Sequence, residues 1–136
     1  MPISVRVVEP KTVDFIKAIV LQDAVLFEPY GKTVLMEIYN SDEQALYVNG
    51  YVGATLYASV KLTFCFSGLI VERIAVHSSM RNGGVCSACL RFCEQLACER
   101  GYRTLYYDAR HGETELLYCN GFTRDAFWSD WLSKSF

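Results

Sequence analysis

Apolar and polar positions along the chain switch repeatedly between two periods. Ser4 to Val8 alternates and is rich in β-branched residues, which predicts a first strand, ended by Pro10. Thr12 can cap the helix that follows, with Asp14 in the first turn favouring the dipole. Val13, Ile16, Ile19, Val20, Ala24 and Phe27 recur at helical spacing and define its expected apolar face. Glu28-Pro29-Tyr30-Gly31 reads as a turn, while Thr33 to Tyr39 is ambiguous in period. Gln44 to Val48 reads as a second strand. Asn49-Gly50 follows, a dipeptide that supplies the positive φ angles of a two-residue hairpin. Tyr51 to Val60 predicts a third strand, and Lys61 to Phe66 extends the sheet towards a turn at Ser67-Gly68.

The stretch from Ile70 to Gly101 organises the rest. Ile70 to His77 is mostly apolar and β-branched, so it predicts a buried strand, and a polar turn containing Gly83 and Gly84 follows. From there Val85, Cys86, Cys89, Leu90, Cys93, Leu96 and Ala97 fall on one helical stripe, which Gly101 stops. A strand, a glycine turn and a helix in that order form an anion site. The first N–H groups of a helix lack intrahelical partners, and the macrodipole adds partial positive charge there. Glycines let an anion approach the main chain closely. Beyond Gly101, Thr104 to Asp108 predicts a strand and His111 to Asn120 a helix stopped by Gly121. Phe122 onwards reads as a short strand, and Trp128 to Phe136 as an aromatic tail.

Composition narrows the class. A length of 136 residues predicts one domain, residues 1–136, able to bury a core without staples. The formal net charge of -2 and the lack of a basic block argue against nucleic acid as a partner. No apolar run is long enough to span a bilayer, and Met-Pro-Ile-Ser does not open a signal peptide, so a cytoplasmic protein with no membrane partner is expected. Cys65, Cys86, Cys89, Cys93, Cys98 and Cys119 are then expected as free thiols, most of them acting as small hydrophobes. The pair Cys86 and Cys89, spaced C-x-x-C at a helix start, raises a thioredoxin-like redox reading. Against it, Gly84-Val85 precedes the pair where Trp is usual, and all three prolines precede residue 30, leaving none to face the thiols. Zinc needs four ligands; no second cysteine pair follows and His77 and His111 are isolated, so no metal is expected.

Ala75-Val76-His77, then Arg81-x-x-Gly84-x-Cys86, resembles motif A of the GNAT superfamily of N-acetyltransferases, written Gln/Arg-x-x-Gly-x-Gly/Ala, with Cys86 at a position usually Gly or Ala. The run Tyr47 to Leu56 also resembles the family's second and third strands. The resemblance covers about Val5 to Phe122. It implies a helix pair after the first strand, so Thr33 to Tyr39 is read as a second helix. The resulting order, β-α-α-β-β-β-α-β-α-β, is that of an α/β fold with a central mixed sheet flanked by helices on both faces. The tail is short for the family, and a last strand that is missing, rudimentary or supplied by a partner subunit stays open.

Acetyl transfer from acetyl-CoA to an amine is the implied activity. By the resemblance, the fourth strand is bulged and splayed from the fifth. Main-chain groups near Ile74, Ala75 and Val76 then pair with the pantetheine arm, and Arg81 with the amides of Asn82, Gly83, Gly84, Val85, Cys86 and Ser87 holds the pyrophosphate. An amine like lysine's is mostly protonated at neutral pH, so a base is needed; Glu72 is the candidate, with a water relay as an alternative. The family's acid is often a Tyr four residues before a Gly-Phe pair. Here Gly121-Phe122 places Leu117 at that position and Tyr118 one later, rotated by about 100° on a helix. Tyr118 is the candidate acid, and a non-catalytic acyl-CoA-binding or regulatory domain is the alternative. Asp14, Asp23, Glu28 and Glu37 lie where a cationic amine could be met, although surface placement accounts for each. The acceptor itself is not legible, and the aromatic tail leaves a homodimer open.

Overall fold

The N-terminal alternation forms β1 (Ile3–Val8), and Thr12 caps α1 (Val13–Gln22), its hydroxyl accepting the N–H of Phe15 at 3.2 Å. The structure, a computed structural model, describes residues 2–27, 46–65, 67–77 and 84–136. The expected second helix at Thr33 to Tyr39 lies outside them. A short π-helical segment (Asp23–Phe27) prolongs α1. Then come β2 (Leu46–Val52), β3 (Thr55–Cys65), β4 (Gly68–Val76), α2 (Val85–Glu99), β5 (Thr104–Asp108), α3 (Thr114–Cys119), β6 (Thr123–Arg124) and β7 (Trp131–Ser135). They form one seven-stranded sheet in the order β1-β2-β3-β4-β5-β7-β6, antiparallel except where β4 meets β5. The expected mixed sheet with helices on both faces is present. No described helix is long and apolar enough to cross a membrane.

The two faces differ in chemistry. On one, α2 and α3 cover Val48, Val60, Leu62, Val71, Ile74 and Leu105, and the cysteines of the α2 stripe pack among them as small hydrophobes. On the other, α1 lies across β2, β3 and β4 and covers a mixed layer that includes Tyr47, Asn49, Ser59 and Lys61, all buried. The two layers follow from strand alternation, since successive residues face opposite sides.

Four local expectations are corrected. Asn49-Gly50 is not a hairpin turn. It lies inside β2, with Asn49 opposite both Arg6 and Ser59, and the turn falls at Gly53-Ala54, where Gly53 has φ 62°. Gly50 serves packing instead: a Cβ placed there would lie 2.6 Å from Val85 Cγ1 and 2.7 Å from Cys89 Sγ, so its bareness lets α2 approach the sheet. The buried face of α1 is also rotated from the expected one. Phe15, Ala18, Ile19 and Gln22 are buried, while Val13, Ile16 and Val20 are exposed. Phe15 and Gln22 have specific partners on the sheet, and these outweigh average hydrophobicity in orienting the helix. The helix expected from His111 to Asn120 is broken by Gly112 at φ 83° and Glu113 at φ 58°. It becomes a 3-10 turn (Ala109–His111) followed by α3. Finally, the tail carries a true last strand: β7 inserts between β5 and β6, and β6 is the rudimentary strand, with two residues.

Candidate active site

β4 and β5 run side by side for three rungs, Leu69–Leu105, Ile70–Tyr106 and Val71–Tyr107. Past Val71 they part. β4 continues to Val76 against β3, while β5 pairs with β7 to its end, Asp108 facing Trp131. The divergence begins at an extra residue. Leu62 lies opposite Val71 and Lys61 opposite Arg73, so Glu72 is a bulge in β4. A bulge bends its strand and increases local twist, which swings the end of β4 off β5. Main-chain groups of successive strand residues point to alternate edges. The N–H of His77 donates to Tyr57 O of β3 at 2.7 Å. Arg73, Ala75 and His77 thus direct their main chain towards β3, while Ile74 and Val76 direct theirs into the gap. The side chains of Ile74 and Val76 pack beneath α2.

The first turn of α2 stands beside this gap. Gly84 is its N-cap, in the left-handed region at φ 79°, and provides no side-chain cap. The helical ladder opens with the N–H of Ala88 donating to Gly84 O at 3.0 Å, so the first-turn N–H groups, those of Val85 and Ser87 among them, point out of the helix end. Among the described residues, nothing lies within 4 Å of where a Gly84 Cβ would stand. That open space belongs to a cleft of about 470 Å³ between the end of β4 and α3, lined by Val76, Gly84, Ser87, Leu116 and Asn120. Glu113 and Glu115 also line it. The positive helix end therefore faces carboxylates across the cleft, and an anion bound there would sit close to α2. The structure thus brings Val76, Gly84 and Ser87 together, with Val85 and Cys86 buried behind them. Arg81, Asn82 and Gly83 lie outside the described residues.

Glu72 and Arg73 both face the α1 side. Lys61 Nζ donates to Glu72 Oε1 at 3.1 Å, from a side chain only 9% exposed. Arg73 Nε donates to Gln22 Oε1 at 2.8 Å and Nη2 to Tyr47 OH at 3.0 Å, and Gln22 Nε2 reaches Ser59 Oγ at 3.2 Å. A charge-bearing network beneath a helix is costly unless its groups are hydrogen-bonded, and these bonds hold the bulge in place from one side. Lys61 was not anticipated from sequence. Its signal was present: a cation between Val60 and Leu62 in an otherwise apolar strand. Asp14 is held by the Tyr51 hydroxyl and by Arg6, which together bring its carboxyl below the usual range, and Asp23 is buried. Glu28 and Glu37 fall outside the described residues.

On α3, Leu117 is fully buried in the core, whereas Tyr118 is 47% exposed and does not line the cleft. The thiols of the C-x-x-C pair are buried, Cys86 at 3% and Cys89 at 0% exposure. Burial raises the Cys89 and Cys93 thiols well above their ordinary pKa, opposite to the thiolate stabilisation a redox cysteine requires. Among the described residues no group of three His, Cys, Asp or Glu side chains could hold a metal.

No protein-family model and no curated protein matches the sequence. Solved structures do match along nearly the whole chain. The PaiA N-acetyltransferase of Thermoplasma acidophilum, in complex with coenzyme A, is 13% identical at a TM-score of 0.75 over 100% of both chains. A protein of Desulfovibrio desulfuricans assigned to the GNAT family of acetyltransferases is 13% identical at 0.70, over 98% of this chain and 99% of that one. The ribosomal-protein-S18-alanine N-acetyltransferase of Escherichia coli is 16% identical at 0.68, over 96% and 91%. The chain has the fold of the GNAT N-acetyltransferases.

Proposed function

We propose that the protein is an N-acetyltransferase that moves an acetyl group from acetyl-CoA to a primary amine by direct attack in a ternary complex. The observation that carries this reading is the alignment of the splay between β4 and β5 with the cleft at the uncapped start of α2. In this reading the diphosphate lies against the first turn of α2 and the loop from Arg81 to Gly84. The pantetheine arm pairs with the main chain of Ile74 and Val76, and Ala75 between them keeps that edge extended. The thioester then reaches the splay. The amine nitrogen, freed of its proton with Glu72 as base, attacks the carbonyl carbon. A main-chain N–H at the splay stabilises the oxyanion. The C–N bond forms as the C–S bond breaks, and the departing CoA thiolate takes up a proton.

Glu72 suits the base role by position, at the bulge where the strands part. The exposure of Tyr118 and the burial of Leu117 favour a thiolate that is protonated by solvent, or a second reading in which the domain binds acyl-CoA without turnover. Thiol release from acetyl-CoA with a panel of amines, alongside calorimetry with CoA, separates the two. Turnover supports transfer; CoA binding with no turnover across the panel supports the binding domain; no CoA binding removes both. Glu72→Gln is expected to lower kcat/KM by roughly 10²–10⁴, the usual contribution of a general base, with CoA affinity unchanged. An undiminished rate would assign the proton to water.

A further inference from the structure

The sheet face opposite α2 carries a groove that the reading above does not use. Among the described residues it is lined by Cys65 of β3, Ser67, Ile70 of β4, Tyr106 of β5, Trp131 of β7 and Trp128 of the loop before β7. None of these side chains carries a formal charge. The volume is about 300 Å³, at the small end of small-molecule sites. An apolar cavity of ~150 Å³ holds benzene, so this groove has room for a ring and a short chain. The three aromatic side chains offer faces and edges suited to a ring.

The outer wall is built and is not a frayed tip. Asp125 Oδ2 accepts the N–H groups of Phe127 at 3.0 Å and Trp128 at 2.9 Å. The Asp125 N–H donates to Trp131 O at 2.9 Å, and the Trp131 N–H donates to Trp128 O at 2.9 Å. These bonds fix the backbone of a loop that leaves Trp128 65% exposed. The groove also has a direction. Ile70–Tyr106 is the rung next to the last β4–β5 rung, and Trp131 sits opposite Asp108, at the end of β5 where the strands part. From Ile70 to Glu72 is two residues, roughly 6–7 Å along a strand. A ring seated over the Ile70–Tyr106 rung would thus place an amine, carried on two or three carbons, beside the bulge.

We infer that this groove is the acceptor's binding site and that the acceptor is a primary amine bearing an aromatic ring on a short alkyl chain. The acceptor role rests on the acetyltransferase reading; the ring site does not. The chain has two tryptophans, and both line the groove, so their emission reports its occupancy directly.

The test titrates the protein with 2-phenylethylamine, butylamine and spermidine while following tryptophan emission, then measures acetyl-CoA-dependent thiol release with the same amines. Saturable quenching by 2-phenylethylamine is expected with a midpoint in roughly the millimolar range or below, with butylamine and spermidine at least tenfold weaker. Trp128→Ala should weaken the aryl amine at least tenfold, read from the remaining Trp131. Phe127→Ala, which alters a 90% exposed neighbour, should leave the titration unchanged. Quenching without turnover keeps the ring site and overturns its acceptor role, while acetyl transfer is decided by the wider amine panel. Turnover of butylamine or spermidine, with no quenching or preference for the aryl amine, sinks the ring site and leaves acetyl transfer standing.

Discussion

Gly50→Ala tests the contact that positions the candidate site. Gly50 lies in β2 beneath the first turn of α2, and an added Cβ would meet Val85 Cγ1 at 2.6 Å and Cys89 Sγ at 2.7 Å. Ordinary carbon contacts stand at about 3.5–4.0 Å, so the helix start must move by about 1 Å. Val85 is β-branched and fully buried, so it has little freedom to swing aside. Overpacking of this kind costs about 1–3 kcal/mol. Replacing a strand glycine returns about 0.5–1 kcal/mol through lower chain entropy. Taking the middle of each range, the net loss is about 1.3 kcal/mol. For 136 residues, unfolding entropy makes this a fall in Tm of roughly 4–5 °C. Thermal denaturation followed by circular dichroism measures it. Val85→Ala removes one of the two clashing groups, so the double variant should be more stable than the sum of the singles by about 1 kcal/mol. A Gly50→Ala protein as stable as the parent, or strict additivity in the double variant, would refute the close approach of α2 to β2. Because Gly84 and Ser87 flank Val85 in the cleft wall, CoA affinity should fall along with Tm.

Four further outcomes rest on named groups. Gly84→Leu forces a side chain into the left-handed region, at about 1–2 kcal/mol, and aims it into the open cleft; CoA affinity by calorimetry should drop at least tenfold while the fold persists, and unchanged affinity would remove the anion site at α2. An aromatic disulfide reagent should label Cys98 and Cys119 quickly in the native protein, whereas Cys86, Cys89 and Cys93 should react only after denaturation; fast labelling of Cys89 would revive a redox role. The Tyr51 hydroxyl and Arg6 hold the Asp14 carboxyl below its usual range, so its contribution to stability is complete above about pH 4 and is lost as pH falls through the lowered value. Asp14→Asn should flatten the acid limb of a Tm–pH curve. Burial pushes Tyr107 up to about 12, so stability should also fall as pH rises from about 10 towards that value, with tyrosinate absorbance as the monitor.

Elements whose pattern is local were legible in the chain. The α2 stripe from Val85 to Ala97, the stop at Gly101 and the strand Thr104–Asp108 stand as read, because 3.6-residue and two-residue periods are properties of the backbone itself. Gly84 stands where the chain enters α2, in the left-handed region that favours glycine. The resemblance on Arg81, Gly84 and Cys86 added the bulge and the splay, which no local period encodes.

What tertiary packing alone decided is where an ambiguous residue spends its chemistry. Asn49-Gly50 has hairpin propensity, yet α2 needs a bare backbone beneath Val85 and Cys89, and a close helix contact outweighs a turn preference. Val13, Ile16 and Val20 have the hydrophobicity to face inwards, yet the sheet offered partners to Phe15 and Gln22 instead. Lys61 and Glu72, eleven residues apart, become one pair only because β3 and β4 are adjacent with a one-residue slip. The ring-lined groove gathers residues from Cys65 to Trp131, brought together by the insertion of β7 between β5 and β6. Sequence carries the short-range periods; the site arises from contacts between residues far apart in the chain, whose free energy exists only once the sheet has closed.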